Sequence, residues 1–169
     1  MKFKLFIICA ILPFIAAFAS NTKFYSINIR YGISIRETYS ICEDNNGFIW
    51  TASKTGILRL TENDYKLYSL PSKATGFINV RLLYNNTHLY AYTFNGQVYY
   101  YNSIKDKFVF LLNMQELIHN NFAYLHDMKE DKRGGLWLAT SVGLYHYANG
   151  IAKKVGNSKE VIRIVWYDS

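Results

Sequence analysis

A stretch of sixteen residues that occurs twice constrains the fold of this chain more than any other feature. Residues 43–58 return as 130–145, and Trp50 and Trp137 occupy the same place in the two copies, at an offset of 87 residues. A Glu-Asp pair, two glycines and an alanine keep this offset without a gap, so the chain contains an internal repeat. The offset is long for one solenoid unit and corresponds to two units of about 40 to 45 residues, the size of a propeller blade.

Short apolar runs separated by turn residues make up each copy of the repeat. In the first copy the predicted strands are 38–42, 48–52, 57–60 and 65–70, joined by turns rich in Asp, Asn, Gly and Thr. Strands this short, with turns this tight, are typical of a blade in which four antiparallel strands form one sheet. The first copy therefore predicts one complete blade.

A weaker unit lies between the two clear copies. Tyr90 stands where the first copy has Trp50, and Gly96 stands where it has Gly56, both at an offset of 40 residues. Its first turn, 84–87, lacks the Asp and Gly of the other copies. The sequence therefore predicts an all-β fold of β-propeller blades, each with four antiparallel strands, in an incomplete ring of three blades and the first strand of a fourth. The predicted blades span about 38–70, 77–112 and 122–155, and the next blade starts at 161–169.

The most distinctive residues of the repeat are predicted to be scaffold. Asp44 can accept hydrogen bonds from backbone N–H groups of its turn, and Gly47 can take a positive φ without cost. The fixed place of Trp50 in the middle of a strand favours packing between blades over a sugar-stacking platform. Single aspartates in distant turns do not make a metal shell, so turn stabilisation is favoured over metal binding. We assign this structural role to Asp44, Gly47, Trp50, Gly56, Tyr90, Gly96, Asp131, Gly134, Trp137, Gly143 and Asp168.

Residues 1–19 have the pattern of a cleavable signal peptide. A basic start is followed by an apolar core at 5–16 and by the small-residue pattern Ala-Phe-Ala at 17–19, so we expect cleavage before Ser20. The alternative is an N-terminal membrane anchor, but the apolar run is short for a span. We therefore expect a periplasmic protein whose folded part is 20–169.

The charge pattern and the cysteines argue against two kinds of interaction. The formal net charge is +7, but the positive residues are scattered through predicted turns and form no run. Scattered charge on an exported chain does not indicate a nucleic-acid partner. Cys42 is the one cysteine beyond the predicted signal peptide, so we expect a buried thiol and no intrachain disulfide.

The two clear copies resemble the two-component regulator propeller repeats of periplasmic sensor regions in Bacteroides-type hybrid two-component system histidine kinases. The resemblance lies in residues 41–60 and 128–147, with 31–34 similar as a lead-in, and covers roughly 24–169. The second unit departs from it at the Asp and Gly positions. The resemblance implies closed propellers followed by further sensor domains, a membrane helix, a kinase and a DNA-binding domain. It also implies oligosaccharide ligands, and as partners the remaining blades or downstream sensor domains, with a dimer in the full-length sensor.

Three blades and one strand cannot close a ring, which takes at least about four blades. We therefore expect an N-terminal piece of a longer sensor, in which a strand predicted at 23–31 belongs to a missing last blade. The first functional hypothesis is a periplasmic ligand-sensing propeller fragment with no kinase or DNA-binding domain in this chain. The alternative is an exported structural or protein-interaction propeller that closes its ring with another chain, and a third hypothesis is a glycan-active enzyme.

The sequence predicts no catalytic residue, cofactor or metal site. Glu43 and Glu130 belong to different blades, so we expect them to lie too far apart for a glycosidase pair. The four histidines show no metal-ligand spacing, and no phosphate loop occurs, so we expect a protein that is not an enzyme. Tyr99 and Tyr101, in the tyrosine-rich second unit, are the candidate ligand contacts. Packing is the alternative, because successive residues of a strand face opposite sides of the sheet.

Overall fold

The chain divides into two compact units, residues 1–32 and 33–169. The predicted signal peptide, 1–19, and the predicted motif residue Asp168 lie outside the part of the chain that the structure describes. The computed structural model describes residues 26–31, 37–71, 79–157 and 160–166.

The described part of the first unit contains a short helix, α1 (Ile27–Tyr31). The strand predicted at 23–31 is therefore wrong for these residues. So short a segment does not distinguish a period of 2 from one of 3.6. A helical turn also satisfies its own backbone, as the Arg30 N–H does by donating to the Ser26 carbonyl oxygen at 2.9 Å. Neither α1 nor any other described helix has the length and apolar character needed to cross a membrane.

The described part of the second unit is built from three four-stranded antiparallel sheets. In each sheet the strands pair in chain order, which is the meander of a propeller blade. This confirms the predicted all-β fold, and within the described residues the sheets form no closed barrel. The first blade contains β1 (Thr38–Glu43), β2 (Ile49–Ser53), β3 (Gly56–Leu60) and β4 (Tyr65–Tyr68). The second contains β5 (Arg81–Tyr84), β6 (Leu89–Tyr92), β7 (Gln97–Asn102) and β8 (Lys107–Asn113), followed by the helix α2 (Met114–Leu117). The third contains β9 (Leu125–Glu130), β10 (Leu136–Thr140), β11 (Gly143–Ala148) and β12 (Ile151–Val155).

The repeated motif takes the same register in the first and third blades. Trp50 on β2 lies opposite Arg59 on β3, and Trp137 on β10 lies opposite His146 on β11. Residues directly opposite each other in an antiparallel pair have side chains on the same face. Each tryptophan therefore shares its face with a different basic neighbour.

Two apolar cores fill the spaces between the blades. On β6, Leu89 and Ala91 belong to the core shared by the first and second blades, whereas Tyr90 belongs to the core shared by the second and third. Successive residues of a strand point to opposite faces of the sheet, so neighbouring side chains enter different cores. Trp50, which is 1% exposed, belongs to the first core. The second blade is thus covered on both faces.

Residues 160–166 run beside the third blade without forming a strand. The Val165 N–H donates to Asp127 Oδ2 at 3.0 Å. A similar bond joins the first two blades, where the Leu82 N–H donates to Ser40 Oγ at 3.1 Å. Ser40 and Asp127 occupy equivalent positions of the repeat, since they too differ by 87 residues. The start of a fourth blade here stays a prediction.

Candidate functional site

Asp44 ties the first turn of the first blade to the buried tryptophan. Its Oδ1 accepts hydrogen bonds from the backbone N–H groups of Asn46 at 2.9 Å and Phe48 at 3.1 Å. Its Oδ2 accepts a hydrogen bond from the Trp50 Nε1–H at 2.8 Å. The carboxylate therefore fixes the turn and the orientation of the indole ring together.

The third blade uses the equivalent aspartate differently. Asp131 Oδ1 again accepts from two backbone N–H groups, those of Arg133 at 2.7 Å and Gly135 at 2.9 Å. Its Oδ2 meets His146 Nε2 at 2.7 Å, and this hydrogen bond is the main reason that the pKa of Asp131 lies below its usual range. The Trp137 Nε1–H is buried, and in the described part of the chain it has no hydrogen-bond partner. One motif therefore makes two different side-chain networks.

The motif glycines all have positive φ angles, and one of them also lies against a helix. At Gly96, with φ +82°, an added Cβ would lie 2.9 Å from the Met114 Cβ, so only glycine fits without moving α2. The Met114 N–H donates to the Gly96 carbonyl oxygen at 2.7 Å, so α2 begins against this turn. Positive φ angles occur at Gly47 (76°), Gly56 (134°), Gly96 (82°), Gly134 (80°) and Gly143 (128°).

The two tyrosines predicted as ligand contacts differ in exposure. Tyr99 is 0% exposed, and its hydroxyl donates to Gln97 Oε1 at 3.0 Å. Because its ring is enclosed in the first core, Tyr99 offers no surface to a ligand. Tyr101 is partly buried, with its ring 4.8 Å from that of Trp50, and its hydroxyl donates to Asp106. Neither tyrosine lines the cleft described below.

Asp106 is the centre of a polar cluster that joins the first two blades. It forms an ion pair with Lys66, accepts a hydrogen bond from the Tyr68 hydroxyl at 2.7 Å and lies 3.5 Å from Arg59 Nη1. Hydrogen bonds from Lys66, Tyr101 and Tyr68 hold the pKa of Asp106 well below its usual range. Burial, followed by the hydrogen bond to Asp106, raises the pKa of Tyr68. These contacts join the two blades and act as an inter-blade clamp, although among the described residues the buried Arg59 Nε has no hydrogen-bond partner.

A cleft of about 530 Å³ lies between the second and third blades. One wall is the turn between β5 and β6, and the other is the end of β9 with the turn that follows it. Asn85 Oδ1 holds the first wall by accepting from the backbone N–H groups of Thr87 at 3.3 Å and His88 at 3.0 Å. Amides, hydroxyls and charged groups line the cleft together with about as much apolar surface, which suits a polar small molecule that also has apolar faces. The lining residues are Leu83, Tyr84, Asn85, Asn86, Thr87, Lys129, Glu130, Asp131 and Lys132.

Glu130 places a buried carboxylate at this cleft. Its side chain is 3% exposed, and its Oε1 meets His88 Nδ1 at 2.9 Å. Its Oε2 is buried and makes no hydrogen bond of normal geometry within the described residues. Burial raises the pKa of the neighbouring Tyr90, followed by the charge of Glu130 and by a hydrogen bond from the Tyr90 hydroxyl to that carboxylate. Because a carboxylate can accept several hydrogen bonds, a ligand hydroxyl that reached Glu130 could donate to it beside His88 and Tyr90.

The contact between His88 and Glu130 was not predicted from the sequence. The repeat pairs Glu130 with Glu43, and the structure places those two residues in the third and first blades. The spacing of 42 residues between His88 and Glu130, close to one blade interval, is the signal that could have identified the pair. Among the described residues, no group of three or more His, Cys, Asp or Glu side chains is placed to hold a metal ion.

Solved structures similar to this one include extracellular domains of bacterial signal-transduction proteins. BT4673 from B. thetaiotaomicron is described as a hybrid two-component system; its extracellular domain matches with a TM-score of 0.64 and 18% identity, over 86% of this chain and 20% of that chain. The extracellular domain of BT3049, described likewise, matches with a TM-score of 0.58 and 18% identity, over 78% of this chain and 20% of that chain. Virginiamycin B lyase from Staphylococcus aureus matches with a TM-score of 0.52 and 15% identity, over 72% of this chain and 42% of that chain. No protein-family model matches the sequence, and no significant match occurs among curated proteins.

At these identities the matches show the fold alone. They confirm, at the level of fold, the likeness to hybrid two-component sensor regions that the repeat predicted. The chain spans about a fifth of the length of the extracellular domains it matches. Because a lyase has a similar fold, function must be argued from the site.

Proposed function

We propose that this chain contributes blades to a periplasmic propeller that senses an oligosaccharide for a hybrid two-component regulator. The chain binds its ligand without transforming it and carries no kinase or DNA-binding domain. Its partners are the remaining blades or downstream sensor domains, in a sensor that acts as a dimer. Cleavage of residues 1–19 accompanies its export.

The cleft with the buried Glu130 is the observation that carries this proposal. Its volume of about 530 Å³ falls within the range typical of small-molecule sites. An oligosaccharide presents many hydroxyl groups that both donate and accept, and Glu130 supplies a carboxylate acceptor at the cleft. The amides of Asn85 and Asn86 and the hydroxyl of Thr87 are further partners on the opposite wall.

The cleft also lies where the repeats differ, which suits a specific ligand. Between the first and second blades the corresponding turns are tied directly, because Asn45 Nδ2 donates to the Asn86 carbonyl oxygen at 2.7 Å. The Asn45 N–H also donates to the Tyr84 hydroxyl at 3.1 Å. Between the second and third blades the contact of His88 with Glu130 is the corresponding tie, and a ligand in the cleft can add to it. A ligand bound there contacts both blades and therefore favours one relative arrangement of them, which is the physical basis of a signal.

Isothermal titration calorimetry with pools of neutral and acidic oligosaccharides tests the proposal. We expect a saccharide whose affinity falls at least roughly tenfold in Glu130→Gln, because the variant loses a charged acceptor. Glu116→Gln, at an exposed position on α2, is the matched control and should bind like the wild type. If nothing in either pool bound, the proposal of an oligosaccharide ligand would be refuted. Unchanged binding by Glu130→Gln would exclude the cleft as the site.

Exposed apolar side chains favour a second candidate function, an exported structural or protein-interaction propeller that closes its ring with another chain. On the first blade, Ile41 is 64% exposed and Leu67 is 54% exposed. Sedimentation velocity over a range of concentrations distinguishes the two functions. Assembly into larger species, together with no saccharide binding, would favour this second candidate.

A further inference from the structure

A cluster of three rings lies at the end of the second and third blades that is opposite the cleft. Phe94, in the turn between β6 and β7, stacks on Tyr124 with ring centroids 4.5 Å apart and planes inclined by 15°. His126, on β9, meets Phe94 at 5.5 Å with an interplanar angle of 64°. Tyr124 is 43% exposed, so the cluster presents an aromatic ring to solvent.

Main-chain hydrogen bonds hold these rings in place. The Leu125 N–H donates to the Phe94 carbonyl oxygen at 2.9 Å, which joins the two blades beside the stack. The Ser141 N–H donates to the Tyr124 carbonyl oxygen at 3.0 Å, and the Tyr124 N–H donates to Ser141 Oγ at 3.0 Å. A ring held in this way loses little freedom when a ligand packs on it, which favours binding.

Two arginines act on this cluster, Arg81 through a hydrogen bond and Arg163 through its charge. Arg81, the exposed first residue of β5, donates from Nη1 to the His126 carbonyl oxygen at 2.8 Å. Arg163 is also exposed, and its neighbour Ile162 is anchored by an N–H bond to the Thr140 carbonyl oxygen at 2.9 Å. Burial lowers the pKa of His126, and the charges of Arg163 and Arg81 lower it further. Burial and the charges of both arginines therefore disfavour the protonated form of His126.

Asp127, which follows His126 on β9, is an acidic group close to Arg81, since both act on Tyr92. Its Oδ1 accepts from the Tyr92 hydroxyl at 3.3 Å, and its Oδ2 accepts from the Val165 N–H at 3.0 Å. Among the described residues, it forms no salt bridge with Arg81 or Arg163. The site therefore has one more positive than negative charge, which favours an anionic ligand.

We propose that this cluster is a second binding site, for a saccharide ring that carries a carboxylate or a sulfate. The ring packs its C–H face on Tyr124, since aromatic faces supply large rigid contact areas. Arg81 and Arg163 hold the anionic substituent, because planar guanidinium groups match the paired oxygens of such oxyanions. The inference rests on the proposed oligosaccharide ligand and specifies a charged class of it at a separate site.

Calorimetric titration with three probes tests the inference: trigalacturonic acid for the carboxylate, a sulfated chondroitin disaccharide for the sulfate, and neutral maltotriose. We expect an acidic probe to bind and its affinity to fall roughly tenfold in both Arg163→Gln and Tyr124→Ala. The matched controls are Arg133→Gln and Tyr65→Ala, at exposed positions elsewhere, and both should bind like the wild type. Circular dichroism checks that each variant is folded. If Tyr124→Ala does not fold, Arg163→Gln still tests the site.

Proton NMR of the histidine rings supplies an independent readout. The protein has four histidines, so the His126 signal can be assigned by its loss in His126→Gln. A bound anion compensates the two arginines and should raise the pKa of His126, whereas maltotriose should leave it unchanged. If an acidic probe bound with no change in this pKa, the anion would not lie here and the inference would be wrong.

The outcomes separate this inference from the proposed function. Acidic binding that Glu130→Gln abolishes and Arg163→Gln leaves intact would overturn the second site and leave the cleft as the binding site. Binding of neutral saccharides alone would have the same consequence. If neither neutral nor acidic saccharides bound, both proposals would be refuted.

Discussion

Replacing Asp44 by asparagine tests whether the bond between aspartate and tryptophan stabilises the first blade. In the variant, the amide oxygen can still accept from the turn, but the amide nitrogen then faces the Trp50 Nε1–H, and two donors meet. If the amide is rotated the other way, the two bonds to the backbone N–H groups of Asn46 and Phe48 are lost instead. Either orientation therefore leaves at least one partly or fully buried N–H group, that of Trp50 or that of Phe48, without its acceptor.

The expected cost follows from the burial of the indole ring. Trp50 is 1% exposed, and a hydrogen bond to a charged acceptor contributes about 1.5–3 kcal/mol. We expect Asp44→Asn to lose ~2–3 kcal/mol of unfolding free energy, which is roughly 5–10 °C in Tm for a domain of this size. Asp131→Asn should cost less than ~1 kcal/mol, because a side-chain amide can pair with an imidazole nitrogen of His146 as donor or as acceptor.

Thermal unfolding at pH 8, followed by near-UV circular dichroism, measures both variants. A double-mutant cycle with Trp50→Phe isolates the bond, since Asp44→Asn should cost at most about half as much once the indole N–H is absent. Equal losses at positions 44 and 131 would contradict the reasoning. No coupling between positions 44 and 50 would contradict it as well.

Three further predictions concern a glycine, a carboxylate and a thiol. Gly96→Ala should lose more than ~2 kcal/mol of stability in urea, because the new Cβ would lie 2.9 Å from the Met114 Cβ in a left-handed backbone. Gly47→Ala, which meets no atom within 4 Å, should lose about 1 kcal/mol, and equal losses would refute the steric account. The pKa of Asp106 is lowered in the fold, so its contribution to stability is present above its unfolded pKa near ~3.9 and is lost as the pH falls toward the folded value. Asp106→Asn should therefore destabilise the protein at pH 7 and flatten the dependence of stability on pH below about 4, and an unchanged acid-unfolding curve would count against the clamp. Burial raises the pKa of Cys42 to about 11, so iodoacetamide at pH 8 should alkylate it about a hundredfold more slowly in the native than in the urea-unfolded protein; equal rates by mass spectrometry would disprove this.

Features that depend on neighbours in the sequence could be predicted. The turn that contains Asp44 and Gly47 follows from side-chain acceptors and a left-handed glycine, both of which act over a few residues. Leu89, Tyr90 and Ala91 alternate between the two cores because successive residues of a strand face opposite sides of the sheet. The helix α1 cannot be predicted from the sequence, because five residues are too few to distinguish helical from strand periodicity.

The candidate site could not be predicted in the same way. Tyr99 and Tyr101 have the same parity on β7 and belong to the same face, yet one is fully buried and the other is not. How exposed each ring is depends on the residues that the next blade packs over it. The local sequence pattern carries no information about those residues. The contact of His88 with Glu130 cannot be predicted for the same reason, because two residues on different blades meet only when the blades pack together.

The sequence by itself determined the blade, its turns and its repetition, because each of these is a local consequence of residue type and strand period. Only the tertiary structure decided what each repeated residue bonds to. Asp44 bonds to the indole of Trp50, whereas Asp131 bonds to His146 and leaves the Trp137 N–H without a partner among the described residues. The physical reason is that these bonds depend on the side chain brought opposite by pairing and stacking of strands, and that neighbour changes from blade to blade while the motif does not.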